Sequence, residues 1–262
     1  MAGMTSSQAP QILAVANQKG GVAKTTTVAS LGAALAEQGQ RVLLVDLDPQ
    51  ACLTFSLGID PEDLELSVHH VLTKGLDPRE VVIGTDDGVD LLPATIDLAR
   101  AESDLLTRTG REHVVAMALE PLDHDWVLLD CPPSLGVLTV AALTAARGLV
   151  IPLQCETLSH RGVGQLLDTV HDVRRFTNRS LEVWGVLPTL YDGRTTHARA
   201  VLETIASTYQ VAVLEPPIPK SIRFAEAPAV GRSILATTRR HPGADAYRAV
   251  AAGLTRRARQ PV

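Results

Sequence analysis

Residues 11–26 read QILAVANQKGGVAKTT, and the reading of this stretch decides the fold. Residues 12–16 form an apolar run with the length of a buried strand. A tight loop follows, Lys19-Gly20-Gly21-Val22-Ala23, and then Lys24, Thr25 and Thr26 open a segment of helical character. Strand, glycine loop, lysine-hydroxyl and helix form a cradle for a nucleotide's phosphate chain. Backbone N–H groups at the helix start point at the anion, and the helix dipole favours negative charge there. On this reading Lys24 reaches the β- and γ-phosphates, Thr25 ligates magnesium and Thr26 donates to the α-phosphate. The plainer alternative is a glycine turn before an amphipathic helix, and the Lys-Thr-Thr that follows argues against it. The usual loop carries glycine immediately before the lysine, where this chain has Ala23. A Cβ there crowds the loop and penalises positive φ, so on this reading the loop closes if Ala23 can adopt a negative φ, and a left-handed Ala23 counts against nucleotide affinity.

KGGVAKTT resembles the deviant Walker A motif of the ParA/Soj chromosome- and plasmid-partition ATPases, within the wider MinD-like P-loop group. The resemblance implies a signature lysine at Lys19 that reaches across a dimer interface to the partner's ATP. ATP and magnesium are then the implied cofactors, and an ATP-bound homodimer the implied assembly.

The chain has 262 residues, 45% of them hydrophobic, enough for a packed α/β core. No run approaches the roughly 18 apolar residues of a membrane span. The opening MAGMTSSQAP lacks the pattern of a signal peptide, and residues 1–10 read as a loose tail before one P-loop domain over 11–262. Three widely spaced cysteines, Cys52, Cys131 and Cys155, suggest a reduced cytoplasmic setting with no zinc pattern. Aromatic content of 3% argues against stacking recognition of single strands. The net charge of −5 is unevenly spread: residues 1–160 hold 9 Lys+Arg against 21 Asp+Glu, and residues 161–262 hold 15 against 8. A basic C-terminal half on an acidic protein fits either a localised nucleic-acid face or an ordinary solvated surface.

Outward from the loop, residues 26–38 read as a helix stopped by Gly39, and RVLLVD (41–46) as a buried parallel strand. That strand ends in Asp46-Leu47-Asp48-Pro49-Gln50, which places two carboxylates where open α/β sheets bind ligands. The segment resembles the family's switch I. By that resemblance Asp48 orients the attacking water, and Asp46 lies close to the magnesium water shell. Residues 50–88 offer acidic loops and short helical pieces; His69 and His70 in them read as surface or packed groups. Residues 89–106 give a short strand and a helix, and a further helix is expected over 111–119.

WVLLD (126–130) is a hydrophobic strand ending in Asp130, a Walker B pattern whose aspartate would hold magnesium through water. Pro132 to Gly136 resemble the family's switch II, and Cys131 reads as a small buried residue. Residues 148–176 and 181–205 repeat strand, loop and helix, which indicates a doubly wound, mostly parallel sheet flanked by helices. The family resemblance assigns DNA contacts to Arg194, in Tyr191-Asp192-Gly193-Arg194-Thr195, and to Lys220 and Arg223. It places the adenine beside Pro217 and Pro219. No groove-reading motif is present, so the DNA contact is expected to be with phosphates, independent of sequence and sensitive to salt. The last helix, 243–260, lacks Phe or Trp to insert in a bilayer, so no membrane partner is expected. The strand starting near residue 11 leaves no room for an N-terminal helix-turn-helix.

These readings imply an ATP switch that dimerises on ATP, binds double-stranded DNA without sequence preference and is stimulated by a ParB-type centromere-binding protein. The alternatives are a MinD-like positioner of protein cargo, a non-hydrolysing nucleotide-binding scaffold and, more distantly, a metabolic P-loop enzyme.

Overall fold

The computed structural model describes residues 9–156 and 159–260. Seven strands form one sheet: β1 (Gln11–Val15), β2 (Val42–Asp46), β3 (Ile83–Gly84), β4 (Asp90–Leu92), β5 (Trp126–Asp130), β6 (Gly148–Gln154) and β7 (Glu182–Thr189). Their order is β3-β4-β2-β5-β1-β6-β7. Every pairing is parallel except β3 with β4. The doubly wound sheet expected from the sequence is therefore present, with one short antiparallel edge strand that two residues could not announce.

The helices are α1 (Lys24–Glu37), α2 (Cys52–Ser56), α3 (Val68–Lys74), α4 (Leu98–Leu106), α5 (Val114–Leu119), α6 (Val137–Ala145), α7 (Ser159–Phe176), α8 (Thr196–Tyr209), α9 (Arg223–Glu226), α10 (Ile234–Thr237) and α11 (Pro242–Ala258). The helix expected over 26–38 begins two residues earlier, at Lys24. The one expected over 111–119 starts as a 3-10 turn at Arg111–His113 and becomes α-helical from Val114. The expected loose tail falls mostly on residues 1–8, outside the described residues.

Parallel strands covered on both faces must be apolar throughout, and alternate residues feed opposite layers. Leu13 and Val15 of β1 join the core on the α1, α10 and α11 side. Ala14 and Ala16 join the core beneath α4 to α7 on the other. A buried hydrogen bond of 3.0 Å between the Thr27 and Tyr247 hydroxyls ties α1 to α11. His69 is buried and His70 accepts from the Ser67 N–H in the capping box of α3, so both histidines are packed groups. Among the described residues no helix is long and apolar enough to cross a membrane.

Chain order reverses direction at β1, between its neighbours β5 and β6. This is the switch point where an open α/β sheet leaves a crevice at the strands' carboxyl ends. One wall of that region is held by a close backbone approach: a Cβ on Gly231 (φ +68°) would meet the Gly58 Cα at 2.6 Å. Gly231→Ala is therefore expected to cost about 2 kcal/mol or more, through strain and a backbone clash together. Urea unfolding of the two proteins side by side measures it.

Candidate nucleotide site

The loop after β1 is fixed from below by Asn17. This buried side chain donates to the Pro152 carbonyl (2.7 Å) and accepts from the Lys19 N–H (3.0 Å). Thr189, at the end of β7, donates its hydroxyl to the Val22 carbonyl at 3.0 Å. Among the described residues, a Cβ at Gly20 or Gly21 would meet no atom within 4 Å, so the glycine backbone borders open space. Gly21 itself sits at φ +73°.

Ala23 does not meet the condition of negative φ: it adopts φ 63°, ψ 36°, left-handed, and the loop closes all the same. It is the residue before α1 and supplies no side-chain cap, so the first N–H groups of α1 have no intrahelical partner. The left-handed turn is what aims them into the loop, and alanine carries the strain that glycine would avoid.

Lys24 follows, 7% exposed, with its ammonium donating to the Lys19 carbonyl at 3.3 Å. Burial lowers its pKa, and Asp130 and Asp48 oppose that shift by favouring the charged form. The Lys19 ammonium is paired with Glu156 of the same chain.

Asp46 and Asp130 lie side by side in register on β2 and β5. They are buried alike but satisfied differently. Asp46 accepts from the Asp48 N–H (3.1 Å) through one oxygen. Its other oxygen accepts from the Thr54 N–H (2.9 Å) and hydroxyl (2.7 Å). It therefore braces the loop after β2 against α2, an anchoring task that the switch I resemblance did not suggest. Burial pushes its pKa up to about 6, with the Thr54 and Asp48 hydrogen bonds pulling the other way. Neither Asp130 oxygen has a partner at full hydrogen-bond geometry among the described residues, and the Thr25 hydroxyl alone lies near enough to favour the ionised form by hydrogen bonding. Burial first, and then the Asp46 carboxylate, push its pKa well above the usual range, and Thr25 and Lys24 offset part of this. Asp48 is less buried; its carboxylate accepts from the Gln50 N–H at 2.9 Å and caps the turn after β2. Cys131 is fully buried, and burial drives its thiol far up, as expected of a packed residue.

The site fits a hydrated divalent cation. A buried carboxylate without partners, beside a hydroxyl and a lysine, is a costly arrangement that a cation would relieve. Among the described residues no group of three or more acidic, His or Cys side chains could hold a metal alone. Magnesium, which keeps waters and takes phosphate oxygens, needs no such group.

The fold brings Lys19 to Thr26, Asp46, Asp48 and Asp130 to one end of the sheet. Pro217 and Pro219 belong to a segment laid along the extension of β7: the Tyr191 N–H donates to the Ile218 carbonyl (2.9 Å), and Tyr191 bridges Pro219. The two prolines are not among the lining of the large cavity beside the loop, about 990 Å³. Its walls come from Thr25, Thr26, Phe55 and Ile96 on one side and from Phe224 and Ile234 on the other. Sequence reading missed that wall, because the motif found over residues 218–228 was assigned to DNA contacts and residues 229–234 carry none.

Of the residues assigned to DNA, Arg194 is 90% exposed by side chain and makes a two-pronged pair with Asp192. Lys220 lies near the same aspartate, and the two cations, Arg194 foremost, hold Asp192 down to about 2. Arg223 is separately paired with Glu226 at 2.7 Å.

The comparisons with known proteins agree with this geometry. Residues 10–183 match the family described as an AAA domain. The chain is 43% identical over 240 residues to the sporulation initiation inhibitor protein Soj of Bacillus subtilis, covering 90% of this chain and 95% of that one. The chain belongs to the ParA/Soj family of P-loop ATPases. The chromosome-partitioning ATPase Soj of Thermus thermophilus is 44% identical, over 91% of this chain and 93% of its own. A crystal structure of cobyrinic acid a,c-diamide synthase from Mycobacterium smegmatis with bound ADP and magnesium superposes with a TM-score of 0.86 at 55% identity, covering 96% of both chains. The ParA/Soj chain described here thus shares its fold with a protein crystallised with nucleotide and magnesium.

Two outcomes follow from the loop and the carboxylates. Ala23→Gly is expected to stabilise the protein by about 0.5–1 kcal/mol, the relief of left-handed strain less the added freedom of the unfolded chain; urea denaturation reads it. The second concerns pH. In metal-free protein Asp46 and Asp130 bind protons more tightly folded than unfolded, so their contribution to stability is fully present below about pH 4 and falls as pH rises, for Asp46 through about 6. Asp130→Asn should flatten that loss, so the variant should gain stability relative to wild type from pH 4 to 6 in EDTA.

Proposed function

We propose that this chain is an ATP-driven switch that dimerises with ATP and binds double-stranded DNA without sequence preference, in chromosome or plasmid partitioning. The observation that carries the reading is the unpartnered, buried Asp130 carboxylate beside Lys24 and Thr25 at the mouth of the glycine loop. ATP and magnesium are the proposed ligands. Magnesium, when bound, neutralises charge on the phosphates. The N–H groups of Gly20 to Thr26 cradle the phosphate chain, Thr25 and Asp130 hold the hydrated ion, and Asp46 keeps the Asp48 loop in place. Asp48 orients the attacking water. Phosphoryl transfer asks for this positioning and charge neutralisation more than for covalent chemistry.

Lys19 is the proposed link between chains. Its pairing with Glu156 keeps the ammonium occupied within one chain, and that pair must open before Lys19 reaches a partner's nucleotide. Pro217 and Pro219 are the proposed flank of the adenine. Arg194, Lys220 and Arg223 are the proposed DNA contacts. The two arginines hold exposed pairs with Asp192 and Glu226, interactions weak enough for a phosphate to displace. A ParB-type centromere-binding protein is the proposed stimulating partner, and the cytoplasm, at the nucleoid, the proposed location.

The cavity of about 990 Å³ beside Thr25 and Thr26 favours one other reading, ATP-dependent amide formation on a small carboxylic acid, as the name of the M. smegmatis protein describes. Amide formation needs a nitrogen donor, and release of nitrogen from an amide donor commonly uses an activated thiolate. All three thiols here are pushed away from that state by burial, Cys155 to about 11. The partition switch is therefore preferred.

The deciding experiment is duplex binding by Asp48→Ala with ATP, with ADP and without nucleotide, at two salt concentrations. Retention only with ATP, independent of sequence and weakened by salt, is expected. Equal binding in all three states would overturn the switch. Lys24→Ala should abolish ATP-dependent dimerisation in sedimentation, and hydrolysis stimulated by a carboxylic acid with ammonium, but not by DNA, would establish the amide-forming reading instead.

A further inference from the structure

The opposite end of the sheet holds a second polar cavity, about 350 Å³, under the C-terminal end of α11 and beside the starts of β6 and β7. Arg147, Glu182, Trp184, Arg256 and Arg257 line it. The charge is unbalanced, with three guanidinium groups against one carboxylate. Arg257 donates to the Trp184 carbonyl at 2.9 Å and touches Glu182 only at 3.3 Å. Arg147 is held entirely by neutral acceptors: the Gln11 side chain (2.8 Å) and the carbonyls of Ala258 (3.1 Å) and Gln260 (3.2 Å). Arg256 is exposed and has no carboxylate within ion-pair reach among the described residues.

The Trp184 indole N–H is sealed in the core, without an acceptor among the described residues, and does not open onto the cavity, so the surplus guanidinium charge is what points to an anion. The C-terminal end of α11 is a negative pole that opposes an anion, and Arg147 offsets it by donating to the Ala258 carbonyl and to the Gln260 carbonyl just beyond the helix.

We propose that this cavity is a phosphate-binding site, separate from the ATP site, for a compact phosphate-bearing group. Guanidinium forks match the oxygens of a phosphate group and hold it better than a lysine would. The cavity admits pyrophosphate with room to spare, and a phosphate of a DNA backbone is the other source of the same chemistry. The proposal does not depend on the partition reading, since none of its residues belongs to the nucleotide loop.

The test uses the full chain carrying Lys24→Ala, so that the glycine loop does not compete for the probe. Inorganic pyrophosphate is titrated by calorimetry at low salt, with tryptophan fluorescence as a second readout, since Trp184 is one of only two tryptophans. One saturable site is expected. Arg256→Glu in the same background should weaken it at least tenfold, and Arg257→Gln several-fold; circular dichroism confirms that both remain folded. Absence of saturable binding, or binding unchanged by Arg256→Glu and by Arg257→Gln, would overturn the site. Displacement of pyrophosphate by a short duplex identifies DNA phosphate as the source, and retention identifies a free phosphate compound; either result supports the site.

Discussion

The carboxylate of Asp130 is the constraint around which the nucleotide end of the molecule is arranged. It is desolvated at the end of the central strand β5, has only the Thr25 hydroxyl near it as a donor among the described residues apart from Lys24, and has a second buried carboxylate next to it in register. Two acidic groups so placed repel one another, and neither can be ionised cheaply without a cation. Lys24 supplies part of the compensation, but it is itself desolvated and its pKa falls. Thr54 supplies another part, to Asp46 alone. What is left over is an acidic hole at a helix N-terminus that attracts phosphate. An ion pair of hydrated cation and polyphosphate answers both demands together, and neither half answers them alone.

This arrangement explains why the loop tolerates alanine where glycine is the easier choice. Ala23 must be left-handed for the first turn of α1 to present its N–H groups, and its φ of 63° shows that the demand is met at the cost of strain. The strain is local and small, of the order of 1–2 kcal/mol, and burial of the surrounding loop under Thr189 and Asn17 is sufficient to hold it. A helix start that wastes its cap on an alanine makes sense only if the free N–H groups have another acceptor.

The phosphate loop, the acidic end of β2 and the hydrophobic strand ending in Asp130 were legible in the sequence because their chemistry demands particular residue types at strand ends. Parallel strands buried on both faces leave continuous apolar runs, so the sheet was legible too. Three features were not. The sign of φ at Ala23 depends on what the helix start must face, and composition does not encode that. The Asp46–Thr54 brace joins residues eight apart across a turn, where threonine is unremarkable by itself. The wall formed by Phe224 and Ile234 becomes a wall only when α9 and α10 fold back over α1, and the Gly58–Gly231 contact that seats them joins positions far apart in the chain.

The two ends of the sheet handle anions by different physics. At the carboxyl ends of the strands the donors are backbone N–H groups and one desolvated lysine, in a setting already crowded with carboxylates. On the proposed reading, affinity there would depend on a cation arriving with the phosphate and would couple to the protonation of Asp46 and Asp130. At the amino ends the donors are guanidinium groups that stay charged at any working pH, with little opposing charge. Binding there would need no metal and would weaken steeply with salt. The uneven charge along the chain, acidic before residue 160 and basic after it, has a structural counterpart in this separation. The acidic half builds the metal-dependent end, and two of the three arginines at the other end, Arg256 and Arg257, come from the basic half. One sheet can therefore hold a switched anion site and an unswitched one without either field cancelling the other, because the full length of the strands and a dry core lie between them.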